Sequence, residues 1–224
     1  TTERLQPEAL TEMLNENQTE MSAIALKHSG TLDKFIGDAV LIYYGDPETD
    51  GAAEDAKACL KMAIDMQHRL GELKAKWRGE GTEEPFVVRM GINSGYCNVG
   101  NFGSNDRMDY TIIGAEANLA ARLQSIAEGG KIVISYETYA LVKDMVDATP
   151  LPPITMKGIQ REIVPYAVNG LILGEDQAIR VMSEHFSGRD LHLDLGQLDR
   201  KERARVRAAL AEAMAALDER DVQP

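Results

Sequence analysis

The stretch Thr31-Leu32-Asp33-Lys34-Phe35-Ile36-Gly37-Asp38-Ala39-Val40-Leu41-Ile42-Tyr43-Tyr44 sets two apolar runs on either side of a Gly-Asp pair. Residues 31–36 and 39–44 read as strands and Gly37-Asp38 as the turn between them, because glycine and aspartate accept the backbone conformations a tight turn demands. The stretch predicts a β-hairpin with the Asp38 carboxylate at its tip. A carboxylate held out on a rigid turn suits a hard cation such as magnesium, which keeps several waters and takes few protein oxygens. Taken alone, a Gly-Asp pair more commonly forms a plain turn for conformational reasons.

Outward from the hairpin, helical spacing of Leu10, Met13, Leu14, Met21, Ile24 and Leu26 predicts a helix over 7–28, stopped at Gly30. Residues 52–77 repeat the pattern through Leu60, Ile64 and Leu70. Strands are expected at 87–92, 95–102, 109–113 and 131–135, with helices at 116–126 and 136–143. The cluster Pro150, Pro152, Pro153 interrupts regular structure, and two final strands surround Lys157 and Tyr166. The alternation predicts an α/β (α+β sandwich) fold with helices covering a sheet. A boundary near Gly170 separates this unit, residues 1–170, from an appendage, 171–224. The appendage carries one strand near Leu191, Leu193 and Leu195 and an amphipathic helix marked by Val206, Leu210, Ala213 and Leu217.

Composition excludes several classes of function. Hydrophobic residues at 44% and charged ones at 27% suit a folded soluble core. A formal net charge of −12 disfavours nucleic acid or an anionic membrane as partner. Cys59 and Cys97 have no His or Cys at metal-ligand spacing, which predicts neither a zinc site nor a disulfide framework and fits a cytoplasmic location. The longest apolar run, 39–44, is far short of a membrane span.

A second constellation is Tyr110-Thr111-Ile112-Ile113-Gly114, followed by Asn118 and Arg122 on the next helix. Four-residue spacing puts the amide and the guanidinium on one face, where both can reach one ligand. Arginine matches phosphate oxygens with a planar fork of donors. Leu119, Ala120, Ala121 and Leu123 make most of this helix apolar, so its polar residues look selected. Lys157, in Met156-Lys157-Gly158, says almost nothing alone.

Together, Lys34-x-x-Gly37-Asp38, Arg89-x-Gly91-Ile92-x-x-Gly95, Gly114-x-x-x-Asn118-x-x-x-Arg122 and Lys157-Gly158 resemble the class III adenylate and guanylate cyclase catalytic domain over about residues 1–170. Each motif is short, and their order makes the match specific. The resemblance implies a ferredoxin-like, palm-type βαββαβ core with helices covering a mixed, mainly antiparallel sheet, and conversion of ATP to cyclic AMP and pyrophosphate. It implies a homodimer with two interfacial sites, each holding two ions of magnesium or manganese. Asp38 is then a metal ligand from one chain, while Lys34, Thr111, Asn118, Arg122 and Lys157 come from the other.

By the same resemblance Lys34 and Thr111 read the base, Asn118 orients the ribose, Arg122 meets the α-phosphate and Lys157 the β- and γ-phosphates. Lysine can donate to adenine N1 and meets a protonated nitrogen in guanine, so ATP is expected as substrate. Thr111 resembles subclass IIIb, some of whose members respond to bicarbonate, which makes bicarbonate an expected activator. A second metal aspartate is expected in a strand preceding residue 1, and an upstream sensor or membrane tether can lie beyond it. The alternatives are an inactive cyclase-like module that binds nucleotide or a partner, and a guanylate cyclase. A diguanylate cyclase is disfavoured because no Gly-Gly-Asp/Glu-Glu-Phe motif occupies the hairpin.

Overall fold

The structure is a computed structural model that describes residues 7–82, 85–104, 106–156, 159–172, 181–186, 189–194 and 200–221. The chain divides into two compact units, Thr1–Gly170 and Leu171–Pro224. In the first unit, helix α1 (Pro7–Lys27) leads into the hairpin β1 (Thr31–Ile36) and β2 (Ala39–Tyr43). A second helix, α2 (Ala52–Gly79), follows, and then β3 (Met90–Ile92), β4 (Asn98–Ser104), β5 (Arg107–Ile113) and helix α3 (Ala115–Ile126). The unit is completed by β6 (Ile132–Ile134), α4 (Tyr136–Val142), β7 (Val146–Pro150), β8 (Ile154–Met156), β9 (Ile159–Ile163) and β10 (Tyr166–Leu171).

The central sheet has the order β3-β6-β10-β7. β3 and β6 run parallel, pairing Gly91 with Val133, whereas β10 is antiparallel to β6. The pairs β1/β2, β4/β5 and β8/β9 are antiparallel as well. Helices set against mixed, mainly antiparallel strands give the expected α/β class.

Apolar periodicity becomes burial where α1 meets α2. Met21 and Ala25 join Met62, Met66 and Leu70 in one cluster. Near the far end of α2, Leu73 and Trp77 close over Met13, and Phe86 packs on Trp77 with ring centroids 5.0 Å apart. On the solvent side, Glu20 accepts from Arg69, and Glu16 from Lys76 and Trp77.

Helix α3 lies on the sheet through Leu119 and Leu123, both fully buried against Val133 and Ile163. Gly91 permits this approach: a Cβ there would stand 2.2 Å from the Ala120 carbonyl oxygen. The start of the helix is pinned by Asn93, whose Nδ2 donates to the Glu116 backbone carbonyl at 3.1 Å and its carboxylate at 2.7 Å.

One expectation needs correction. The strand expected over 87–92 is confined to 90–92, and Val87 is exposed. The proline cluster interrupts regular structure as expected: Pro150 ends β7, residues 151–153 are irregular, and β8 begins at Ile154; β7 is an edge strand, where a missing N–H breaks no ladder.

The second unit contains β11 (Val181–Phe186), which the sequence reading did not anticipate, paired antiparallel with β12 (Arg189–Asp194). Helix α5 (Arg200–Asp221) follows, with Val206 half-buried and Leu210 and Ala213 exposed. No helix among the described residues is long and apolar enough to cross a membrane.

Candidate active site

Lys34 and Thr111 stand 77 positions apart in the chain, and the fold brings both to the same carboxylate. Thr111 Oγ1 donates to Asp33 Oδ2 at 2.5 Å, and Lys34 Nζ lies 3.6 Å from Asp33 Oδ1. Thr111 is buried on β5, and the Lys34 side chain is 36% exposed, leaving its ammonium reachable. A second bond joins β5 to the loop after β2: Tyr110 Oη donates to Asp46 Oδ2 at 2.7 Å. That acceptor raises the Tyr110 pKa, since losing the proton would place two negative groups together.

Asp38 sits just past Gly37, whose φ of 63° lies in the left-handed region that favours glycine. Its carboxylate is exposed and has no protein partner among the described residues. Asn118 and Arg122 are exposed on α3, on the face beside buried Leu119 and Leu123. Neither of their polar heads has a protein partner among the described residues, so both can meet a ligand. Lys157 lies outside the described residues.

The donor set bears on the expected ions. Asp38 fits one ligand position of a hard cation, which prefers carboxylate and water. Among the described residues, no group of three His, Cys, Asp or Glu side chains is placed to hold a metal. Both cysteines are free, and burial pushes the Cys59 thiol up to about 12, too high for a reactive thiolate at neutral pH.

Residues 1–170 match the family described as the adenylate and guanylate cyclase catalytic domain. The chain belongs to this family. Its cyclase domain resembles the crystal structure of the adenylyl cyclase CyaB from P. aeruginosa, with 48% identity and a TM-score of 0.73 over 79% of this chain and 89% of that one. It also resembles the guanylyl cyclase Cya2, with 32% identity and a TM-score of 0.72 over 80% and 89% of the two chains. Among curated proteins, Adenylate cyclase 1 of Rhizobium meliloti (strain 1021) is 31% identical over 168 residues, 74% of this chain and 25% of that protein. The cyclase domain thus spans about a quarter of that relative's length. The family generally uses divalent metal ions.

Sequence reasoning missed Asp33. Its signal was present as a charged residue beside Lys34 inside an otherwise apolar strand, but nothing in the linear pattern linked it to Thr111. It also left the Arg89-x-Gly91 motif without a physical role. Gly91 lets α3 settle on β3, and Arg89 Nη1 donates to the Ser125 carbonyl at 3.3 Å on the same helix.

Proposed function

We propose that this cyclase domain converts ATP to 3′,5′-cyclic AMP and pyrophosphate at the interface of a homodimer. The observation that carries the reading is the meeting of Lys34 and Thr111 on one buried carboxylate. An ammonium and a hydroxyl side by side match the N1 acceptor and the exocyclic amino donor of adenine.

The reaction is an in-line displacement: the ribose 3′-hydroxyl attacks the α-phosphorus and pyrophosphate leaves. Divalent cations, when bound with Asp38 as one ligand, lower the pKa of the attacking hydroxyl and neutralise phosphate charge. The protein's own groups supply position and further charge. Arg122 donates to the α-phosphate oxygens as negative charge builds there, and its exposed placement on α3 leaves the guanidinium uncommitted. Asn118, one turn earlier, holds the ribose so that its hydroxyl lies in line. Lys157 is assigned to the β- and γ-phosphates.

The sites require two chains. Lys34 and Asp38 lie four residues apart and are assigned to different sites, the nucleotide being shared across the interface. Exposed Phe35, Ile36, Met108, Tyr110 and Ile113, on the β1 and β4–β5 hairpins, offer apolar surface to a second copy. Magnesium or manganese is the expected pair of ions, bicarbonate an activator, and the cytoplasm, with its ATP, the place of action. An upstream sensor or tether would set the activity.

GTP is the second reading, favoured by the likeness to Cya2. The test is cyclic nucleotide formation by the full-length protein from ATP and from GTP, with magnesium or manganese, beside Asp38→Ala. Metal-dependent cyclic AMP formation that the substitution abolishes supports the assignment. ATP binding without product points instead to an inactive signalling module, and equal turnover of both nucleotides overturns the role of Lys34.

A further inference from the structure

Asp33 is a carboxylate within a strand, and its side chain is 1% exposed. A charge withdrawn from water is costly unless donors meet its lone pairs. Its partners are Thr111 and Lys34, the two residues assigned to the base. The 2.5 Å separation from Thr111 Oγ1 suits a hydroxyl donating to a carboxylate. The backbone explains how Asp33 comes to share a site with its own neighbour. Successive residues of a regular strand face opposite sides. Here the pairing slips between Leu32 and Lys34, so Asp33 is the extra residue of a bulge, and bulges re-aim side chains.

We propose that Asp33 is a specificity-determining positioning residue. It accepts the hydrogen bond of the single Thr111 hydroxyl, leaves that oxygen able only to accept from the base, and so makes the site select a 6-amino purine over a 6-oxo purine. The proposal rests on the adenine-binding reading of Lys34 and Thr111. A freely rotating threonine hydroxyl donates to guanine O6 as readily as it accepts from the adenine amino group. A carboxylate offers only lone pairs, which removes that choice. Turning the hydroxyl toward a 6-oxo group would leave a buried carboxylate oxygen without its donor, a penalty borne only by the guanine complex. Lys34 works in the same sense, since it donates to adenine N1 and opposes the N1–H of guanine. At 3.6 Å from Asp33 its ammonium is held in place without its donors being spent.

The experiment compares kcat/KM for ATP and GTP in the full-length protein, Asp33→Asn, Thr111→Val and the double variant, with thermal melting of each. In Asp33→Asn the amide can donate to Thr111 Oγ1 and release the hydroxyl proton toward the base. The ATP preference is expected to fall about tenfold or more through improved use of GTP as well as loss of ATP. Thr111→Val has no hydroxyl to orient, so adding Asp33→Asn to it changes the ratio by less than about threefold. A merely structural Asp33 lowers turnover of both nucleotides in proportion and leaves the ratio intact, which overturns the proposal. If Asp33→Asn does not fold, Thr111→Val alone decides: loss of ATP preference supports an oriented acceptor and an unchanged ratio overturns it. A native protein that cyclises neither nucleotide overturns the cyclase reading and this proposal with it. A native ATP preference untouched by Asp33→Asn overturns this proposal alone.

Discussion

A Cβ on Gly91 would stand 2.2 Å from the carbonyl oxygen of Ala120 and 2.2 Å from the amide nitrogen of Gln124, so β3 lies directly against the backbone of α3. Because the obstructing atoms are main chain, no rotamer change relieves the clash. The contact sets the height of the helix that presents Asn118 and Arg122.

Gly91→Ala is therefore expected to destabilise the domain by about 1–3 kcal/mol or more, the cost of forcing volume into a closed contact. Gly71→Ala serves as the control. It lies in the interior of α2 with nothing within 4 Å of a new Cβ, and should stabilise by roughly 0.5–1 kcal/mol. Chemical denaturation of both variants checks the opposite signs.

Arg122→Ala should leave the melting temperature unchanged, because the side chain is exposed and has no protein partner among the described residues. Cyclic AMP formation should fall by about a hundredfold to a thousandfold, the usual loss for one well-aimed donor. KM for ATP should change far less than kcat. The reverse pattern would assign Arg122 to ground-state binding.

Mixing Asp38→Ala chains with Arg122→Ala chains tests the shared site. If one protomer supplies Asp38 and its partner Arg122, each mixed dimer keeps one intact site. An equal mixture in which chains exchange freely should regain about a quarter of native activity, since half the dimers are mixed and carry half their sites. No recovery despite exchange would place both residues in one chain's site.

Stability should fall with acid through the α1–α2 seam. Lys76 and Trp77 hold the Glu16 carboxyl below the ordinary value of 4.5, and Arg69 does the same for Glu20. For groups depressed on folding, the stabilisation is full above the unfolded value and disappears as pH falls through the lower folded one. Melting temperature should hold from neutral pH to about 5 and drop below 4.5. Glu16→Gln, which does not titrate, should flatten part of that fall; an identical slope would remove Glu16 as a cause.

Much of the local structure was legible because it depends on near neighbours. The hairpin at 31–43 follows from a turn-forming pair between apolar runs, and α1, α2 and α3 from helical spacing of residues that become buried. Strands β7 and β11 were not legible. Residues 146–150 lead into prolines that signal a break, and only the edge position of β7 makes Pro150 harmless. Residues 181–186 alternate too weakly to show a strand before β12 pairs with it.

The motifs by themselves determined the family, the hairpin carrying Asp38 and the helix face carrying Asn118 and Arg122, because each depends on spacing within a few residues. Only the tertiary structure decided that Asp33, 78 positions from Thr111, accepts its hydrogen bond, and that Gly91 is the seat of α3. A hydrogen bond and a backbone contact between distant segments depend on where two elements meet. For Gly91 and α3 that meeting goes with the burial of Leu119, Leu123 and Val133 together, which no single stretch of sequence contains.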